Sequence, residues 1–211
     1  MSLRSLSKVF PLLAIATAAL FVTVPATAAG DAAHGKVLAY TCLGCHGIET
    51  YKNVYPTFSV PKLRGQYPEY LVEALQQYAK GERSHATMHA HASSLSDQDM
   101  QDIAASLGGD VVKSSGKGTV GTAPATAIIC QSCHGPDGVA PVGAPTIAGQ
   151  HADYIEHALE SYGNGARKNL VMAQQVAPLT PEDIRAIADF FAKQKPELKT
   201  VPRNEKLTAA K

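Results

Sequence analysis

The same ordered pattern runs twice along this chain: C-x-x-C-H, then P-x-[LI]-x-G-Q, then G-x-R-x4-M-x6-L. Pro61-Lys62-Leu63-Arg64-Gly65-Gln66 is matched by Pro145-Thr146-Ile147-Ala148-Gly149-Gln150, and Tyr70 by Tyr154. Gly81, Arg83, Met88 and Leu95 then fall on Gly165, Arg167, Met172 and Leu179, always at an offset of 84 residues. Between the two C-x-x-C-H motifs the offset is 88, so the first half holds four extra residues in or near Ile48 to Val60. A repeat of this length and register argues against one large domain and predicts two small ones of the same fold.

The periodicity inside each half is helical. Leu71, Ala74, Leu75 and Tyr78, with their counterparts Ile155, Ala158, Leu159 and Tyr162, recur at three-to-four spacing after Pro68 or Asp153. In the closing helix Ser96 or Thr180 is placed to cap, with Asp99 or Asp183 at the third helical position, and Pro181 suits the first. Met100, Ile103, Ala104 and Leu107 line one face of that helix, matched by Ile184, Ile187, Ala188 and Phe191. A short helix over 31–40 leads into the first cysteine motif, and 125–129 is its truncated counterpart. Strand patterns are nearly absent. The expected fold is therefore all-α, with domains at 29–107 and 125–195. Residues 108–124, rich in Gly, Ser, Thr and Ala, form a flexible or draped linker. Residues 196–211 are a C-terminal tail, read as a solvated end.

The four cysteines carry the chemistry. Cys42-Leu43-Gly44-Cys45-His46 and Cys130-Gln131-Ser132-Cys133-His134 have the spacing of c-type haem attachment. Two intervening residues set the sulfurs one helical turn apart, the separation that reaches both vinyl groups on a porphyrin edge, while the next imidazole reaches the iron. A redox dithiol needs no histidine at that place, and a zinc site would have to draw its two halves from different domains. Two covalent haems c are thus expected, on Cys42, Cys45 and His46 and on Cys130, Cys133 and His134.

Methionine is the usual sixth ligand opposite histidine in electron-transfer haems, because its thioether raises the potential and closes the iron. Met88 and Met172 occupy equivalent places in the repeat, whereas Met100 aligns with Ile184 and belongs to an apolar helix face. The expected iron ligands are His46 with Met88, and His134 with Met172. Around Met88, however, stand His85, His89 and His91, which remain alternatives and would give a haem of lower potential. His34, His151 and His157 read as surface residues.

Residues 1–28 read as a cleavable export signal: Arg4 and Lys8, an apolar run from Val9 to Val24, and Ala26-Thr27-Ala28 as the small-residue cleavage site. Residues 31–107 hold eight acids against six Lys or Arg, and 125–195 seven against five, so no basic face for nucleic acid is present.

Over about residues 31–195 the chain resembles the dihaem c4-type cytochromes, carried by the paired C-x-x-C-H-G, P-x-[LI]-x-G-Q and G-x-R-x4-M-x6-L segments. That resemblance implies two tandem class I cytochrome c domains in a pseudo-twofold arrangement, located in the periplasm. It implies that the carbonyls of Pro61 and Pro145 accept the proximal histidines' other N–H, and that the matched methionines complete the irons. It also implies one-electron outer-sphere transfer from a quinol-oxidising membrane complex to a terminal oxidase or another periplasmic acceptor, with which peripheral membrane association is compatible. Two other roles share this fold: the cytochrome subunit of a flavocytochrome-type dehydrogenase, which the chain is also similar to, and a dihaem enzyme with one open iron. The sequence departs from the family in the loop from Ile48 to Pro56 and in the histidines around Met88.

Overall fold

The computed structural model describes residues 29–141 and 143–203. The expected export signal lies outside the described residues, as does the end of the tail. Among the described residues the order is α1 (Ala32–Leu38), α2 (Leu43–His46), α3 (Pro68–Ala79), α4 (Ala86–Ala92) and α5 (Asp97–Gly108). A 3₁₀ turn (Ala125–Ala127) follows, then α6 (Ile128–His134), α7 (Ala152–Gly163), α8 (Leu170–Val176) and α9 (Pro181–Ala192). Among these residues there is no strand beyond isolated bridges. In the second half α1 is reduced to the 3₁₀ turn, because Pro124 caps it and leaves one turn before α6.

Each half closes over its own core. The first gathers Ala39, Leu71, Ile103, Ala104 and Leu107, the second Ile155, Leu159, Val176, Ile184, Ile187, Ala188, Phe190 and Phe191. Burying each Leu, Ile or Phe there contributes about 1.5–3 kcal/mol. The predicted caps are formed: Ser96 and Thr180 accept from Asp99 N–H and Asp183 N–H, and both aspartates bond back. In the first half, α1 crosses α5 at Gly35, where a Cβ would sit 1.8 Å from the Asp102 carbonyl oxygen. Beside that crossing the buried Asp102 carboxylate accepts from Asp31 N–H and Gln98, and pairs with His34 Nδ1 at 2.7 Å.

A crossed pair of glutamines joins the halves. Gln66 receives Thr146 N–H at 3.0 Å and donates to the Thr146 carbonyl at 2.8 Å. Gln150 does the same to Lys62, at 2.9 Å each way. Gly65 and Gly149, at φ +94° and +65°, supply the left-handed turn that aims each glutamine across the seam. Farther along, Ser84 N–H donates to Ala166 O and Lys168 N–H to Glu82 O, an antiparallel bridge centred on Arg83 and Arg167.

One segment takes one of the two forms expected for it, and another differs from the sequence reading. The linker is draped: Val112 N–H donates to Gly65 O, Ser114 to Asp137, and Val120 exchanges bonds with the buried Gln194 side chain. The tail as far as Arg203 is not solvated in its apolar part. After Pro196 it crosses to the first half, where Lys199 and Arg64 pair backbone to backbone and Val201 N–H donates to His46 O. Leu198 and Val201 are buried, Val201 in the first core, and so drive the docking. Counting only the tail's charges hid those two side chains.

Gly35→Ala is expected to destabilise the protein by about 1–3 kcal/mol through forced separation of α1 from α5, measured by chemical denaturation. The His34–Asp102 pair makes stability pH-dependent. The hydrogen bond to Asp102 raises the His34 pKa above its ordinary 6.5, and the same bond lowers that of Asp102. A raised folded pKa stabilises fully below 6.5 and is lost as pH rises through the folded value. Denaturation midpoints of the wild type and His34→Ala should therefore differ most in mildly acidic solution and converge at alkaline pH.

Candidate haem sites and the seam between them

In each C-x-x-C-H motif the helical backbone of α2 or α6 puts the second cysteine one turn after the first. The four thiols form no disulfide, and burial raises the pKa of Cys42 and Cys130. His46 Nδ1 lies 2.9 Å from the Pro61 carbonyl oxygen, and His134 Nδ1 lies 2.8 Å from that of Pro145. A carbonyl only accepts, so the proton sits on Nδ1 and the Nε2 lone pair is free. Burial lowers both imidazole pKa values, the proline carbonyls oppose this, and the charge of Arg83 or Arg167 adds to the lowering. Each ring is thereby held as a neutral, oriented donor, the form a metal ligand needs.

The predicted methionines sit in the first turn of two matching helices. Met172 N–H donates to the Asn169 side chain, which caps α8, and Met172 packs against the second core. In α4 the cap is His85, whose Nδ1 accepts from Met88 N–H at 3.2 Å. Its Nε2 faces the Asn53 amide, with 3.1 and 3.4 Å to the amide nitrogen and oxygen. His89 Nδ1 bonds the Tyr78 carbonyl, and His91 is exposed. Both ring nitrogens of His85 and one of His89 are thus engaged locally.

The four-residue insertion in the first half forms a small loop closed by Asn53 N–H to Phe58 O and Val60 N–H to Tyr51 O. It clamps the second half. Asp153, in the first turn of α7, accepts from Lys52, Ser59 N–H and the Ser59 hydroxyl. Phe58 is buried and stacks on His157 with ring centroids 4.0 Å apart. His157 is consequently half-buried in the seam under a ring from the other half, and His151 is half-buried at the head of α7, a correction to the surface reading of both. The tip stays open, with Tyr55 94% exposed.

Sequence reasoning noted Arg83 and Arg167 only as repeat matches. They are 7% and 5% exposed, and no carboxylate pairs with either among the described residues. Each guanidinium lies over a tyrosine of its own half, 4.6 Å from the Tyr78 ring centroid or 4.4 Å from that of Tyr162. Each also donates to a tyrosine hydroxyl of the other half: Arg83 to Tyr154, and Arg167 to Tyr70 at 2.7 Å. Arg167 Nε is buried without a hydrogen-bond partner.

A family model described as cytochrome c matches residues 32–107, and one described as cytochrome c oxidase, cbb3-type, subunit III matches 122–191. Cytochrome c4 of Pseudomonas aeruginosa is 35% identical, the alignment covering 82% of this chain and 92% of that one. The chain belongs to the cytochrome c4 family. The crystal structure of reduced recombinant cytochrome c4 from Pseudomonas stutzeri superposes with a TM-score of 0.63 at 30% identity, covering 79% of this chain and all of that one. A thiosulfate dehydrogenase electron acceptor of Stutzerimonas stutzeri is 29% identical over 73% of this chain and 79% of its own. Two tandem cytochrome c domains, two covalently bound haems c and an electron-carrier role come with this membership.

The residues present suit that cofactor. Thiols one turn apart, neutral imidazoles with free Nε2, and buried guanidinium groups lacking an anion are complementary to vinyls, iron and propionates. A buried guanidinium without a counter-charge costs several kcal/mol, and the partnerless Nε of Arg167 faces that deficit directly. Asn169→Ala, which removes the cap at Met172 N–H, is expected to cost about 1 kcal/mol of stability in thermal denaturation.

Proposed function

We propose that the protein is a periplasmic relay of single electrons in which both irons keep two protein ligands throughout. Cys42, Cys45, His46 and Met88 hold the first haem in a domain spanning 29–107. Cys130, Cys133, His134 and Met172 hold the second in a domain spanning 125–195, with 108–124 as the linker. Residues 1–28 export the chain and are then removed. When bound, the haems supply the reversible one-electron couple of iron. The protein supplies the rest: Pro61 and Pro145 fix the imidazole tautomers, the thioethers of Met88 and Met172 would join the histidines in holding the irons, and the seam holds the domains together. No catalytic residue is needed. The observation that carries this reading is the matched geometry of the halves, in which each motif histidine meets a proline carbonyl at 2.9 or 2.8 Å. Two similar sites, each with a methionine at the matching place, suit transfer between proteins better than turnover of a substrate.

The electron donor is a quinol-oxidising membrane complex, and the acceptor a terminal oxidase or other periplasmic reductase. A second reading is favoured by the likeness to a thiosulfate dehydrogenase electron acceptor: here the chain receives electrons from one dehydrogenase. Stable co-purification with such an enzyme would favour that reading over the freely diffusing carrier.

The oxidised protein should contain two covalent haems per chain and a methionine-to-iron charge-transfer band with the intensity of two sites. Met88→Ala and Met172→Ala should each remove half of that band and open one iron to cyanide. A wild-type band of half intensity, with Met88→Ala leaving it unchanged, would replace Met88 by a histidine or an open site.

A further inference from the structure

Resting on the two haem sites just proposed, the seam carries a second layer of organisation. Arg83 and Arg167 are buried, have no carboxylate partner among the described residues, and are each supported from two sides. One support is internal, the face of Tyr78 or Tyr162. The other is external, the hydroxyl of Tyr154 for Arg83 and of Tyr70 for Arg167. The antiparallel bridge between residues 83 and 167 fixes both backbones, so the direction of each guanidinium is decided by its two tyrosines.

The charges act back on their own halves. Each arginine stands five residues before the matching methionine of its own half, Met88 or Met172, in the segment that leads into α4 or α8. The hydroxyls feel them too. Burial would raise the Tyr70 pKa, yet Arg167 and Arg83 bring it down to about 8. In a seam shielded from water such fields fall off slowly. A fixed positive charge beside an iron site favours the ferrous state, and so raises the potential.

We propose that each domain tunes the other's haem: Tyr154 positions Arg83 beside the first haem site, and Tyr70 positions Arg167 beside the second. Both tyrosines are positioning residues, acting through the guanidinium each one bonds. Their effect on potential passes through the arginines, chiefly that of the opposite domain, although Tyr70 also feels Arg83 of its own half. The wiring is crossed, so a change in one domain is read at the other domain's iron.

The test is a redox titration of the purified dihaem protein, with the two haems told apart by the NMR shifts of their methyl groups. Arg83→Gln should lower the first haem's potential by about 59 mV, a tenfold change in its one-electron equilibrium. Tyr154→Phe should lower the same haem by a smaller amount, about threefold, and leave the second haem in place. In the Arg83→Gln background Tyr154→Phe should have no further effect. Tyr70→Phe should mirror this at the second haem, and carries the same test if the Tyr154 variant fails to load haem. A Tyr154→Phe shift confined to the second haem, or one that persists without Arg83, would overturn the crossed assignment. A wild type with fewer than two covalent haems would instead overturn the underlying two-haem reading, whatever the tyrosines do.

Discussion

The peptide between Pro61 and Lys62, and its counterpart between Pro145 and Thr146, must satisfy two partners at once. The proline carbonyl faces inward, to the histidine of its own motif. The next residue's N–H and carbonyl face outward, to the glutamine of the other half. Neither demand can be relaxed alone, because the peptide is planar and stiff. The orientation of each imidazole is therefore tied to the docking of the two domains. Gly65 and Gly149 make this possible by turning the chain where a side chain would be strained.

Three departures from symmetry reinforce that docking. The loop inserted in the first half puts Phe58 against His157 and delivers Lys52 and Ser59 to Asp153. The tail leaves the second half and buries Val201 in the first core. The linker is bonded to both halves along its course. A repeat whose copies met only through two glutamines would rest on a small polar interface, of the kind that normally permits domain motion. Adding an apolar ring stack and a crossing segment narrows that freedom.

Much of this was legible in the residues. Helical spacing, capping pairs and the repeat sufficed for the all-α, two-domain architecture, because these are local signals that tertiary packing did not override. The cysteine motifs pointed to the cofactor because their spacing has few other uses. What escaped is long-range. The docking of Val201 depends on a core that only the folded first half creates, and His157 is half-buried through a loop 99 residues away in sequence. His85 was weighed as a ligand, yet it takes the place of Asn169 as a helix cap. The offset of 84 pairs those two positions and was the available clue.

The buried arginines escaped for a different reason, one that the symmetry makes instructive. In a pseudo-twofold interface, if residue i meets residue j, then i's counterpart meets j's counterpart. Positions near the axis must work in both settings, so they tolerate little drift. Core positions answer only to their own domain, and there Met100 faces Ile184 and Leu107 faces Phe191 in the repeat. At the seam the two halves keep identical residues: Gln66 and Gln150, Tyr70 and Tyr154, Tyr78 and Tyr162, Arg83 and Arg167. Identity alone does not single out the axis, since the separate cores also pair Ala104 with Ala188 and Leu75 with Leu159; what singles out Gln66, Tyr70 and Arg83 is identity at positions that bond across the seam. Arginine suits that place because one guanidinium can stack on a ring, donate to a hydroxyl and still hold a donor in reserve for an anion. The partnerless Nε of Arg167 is that reserve.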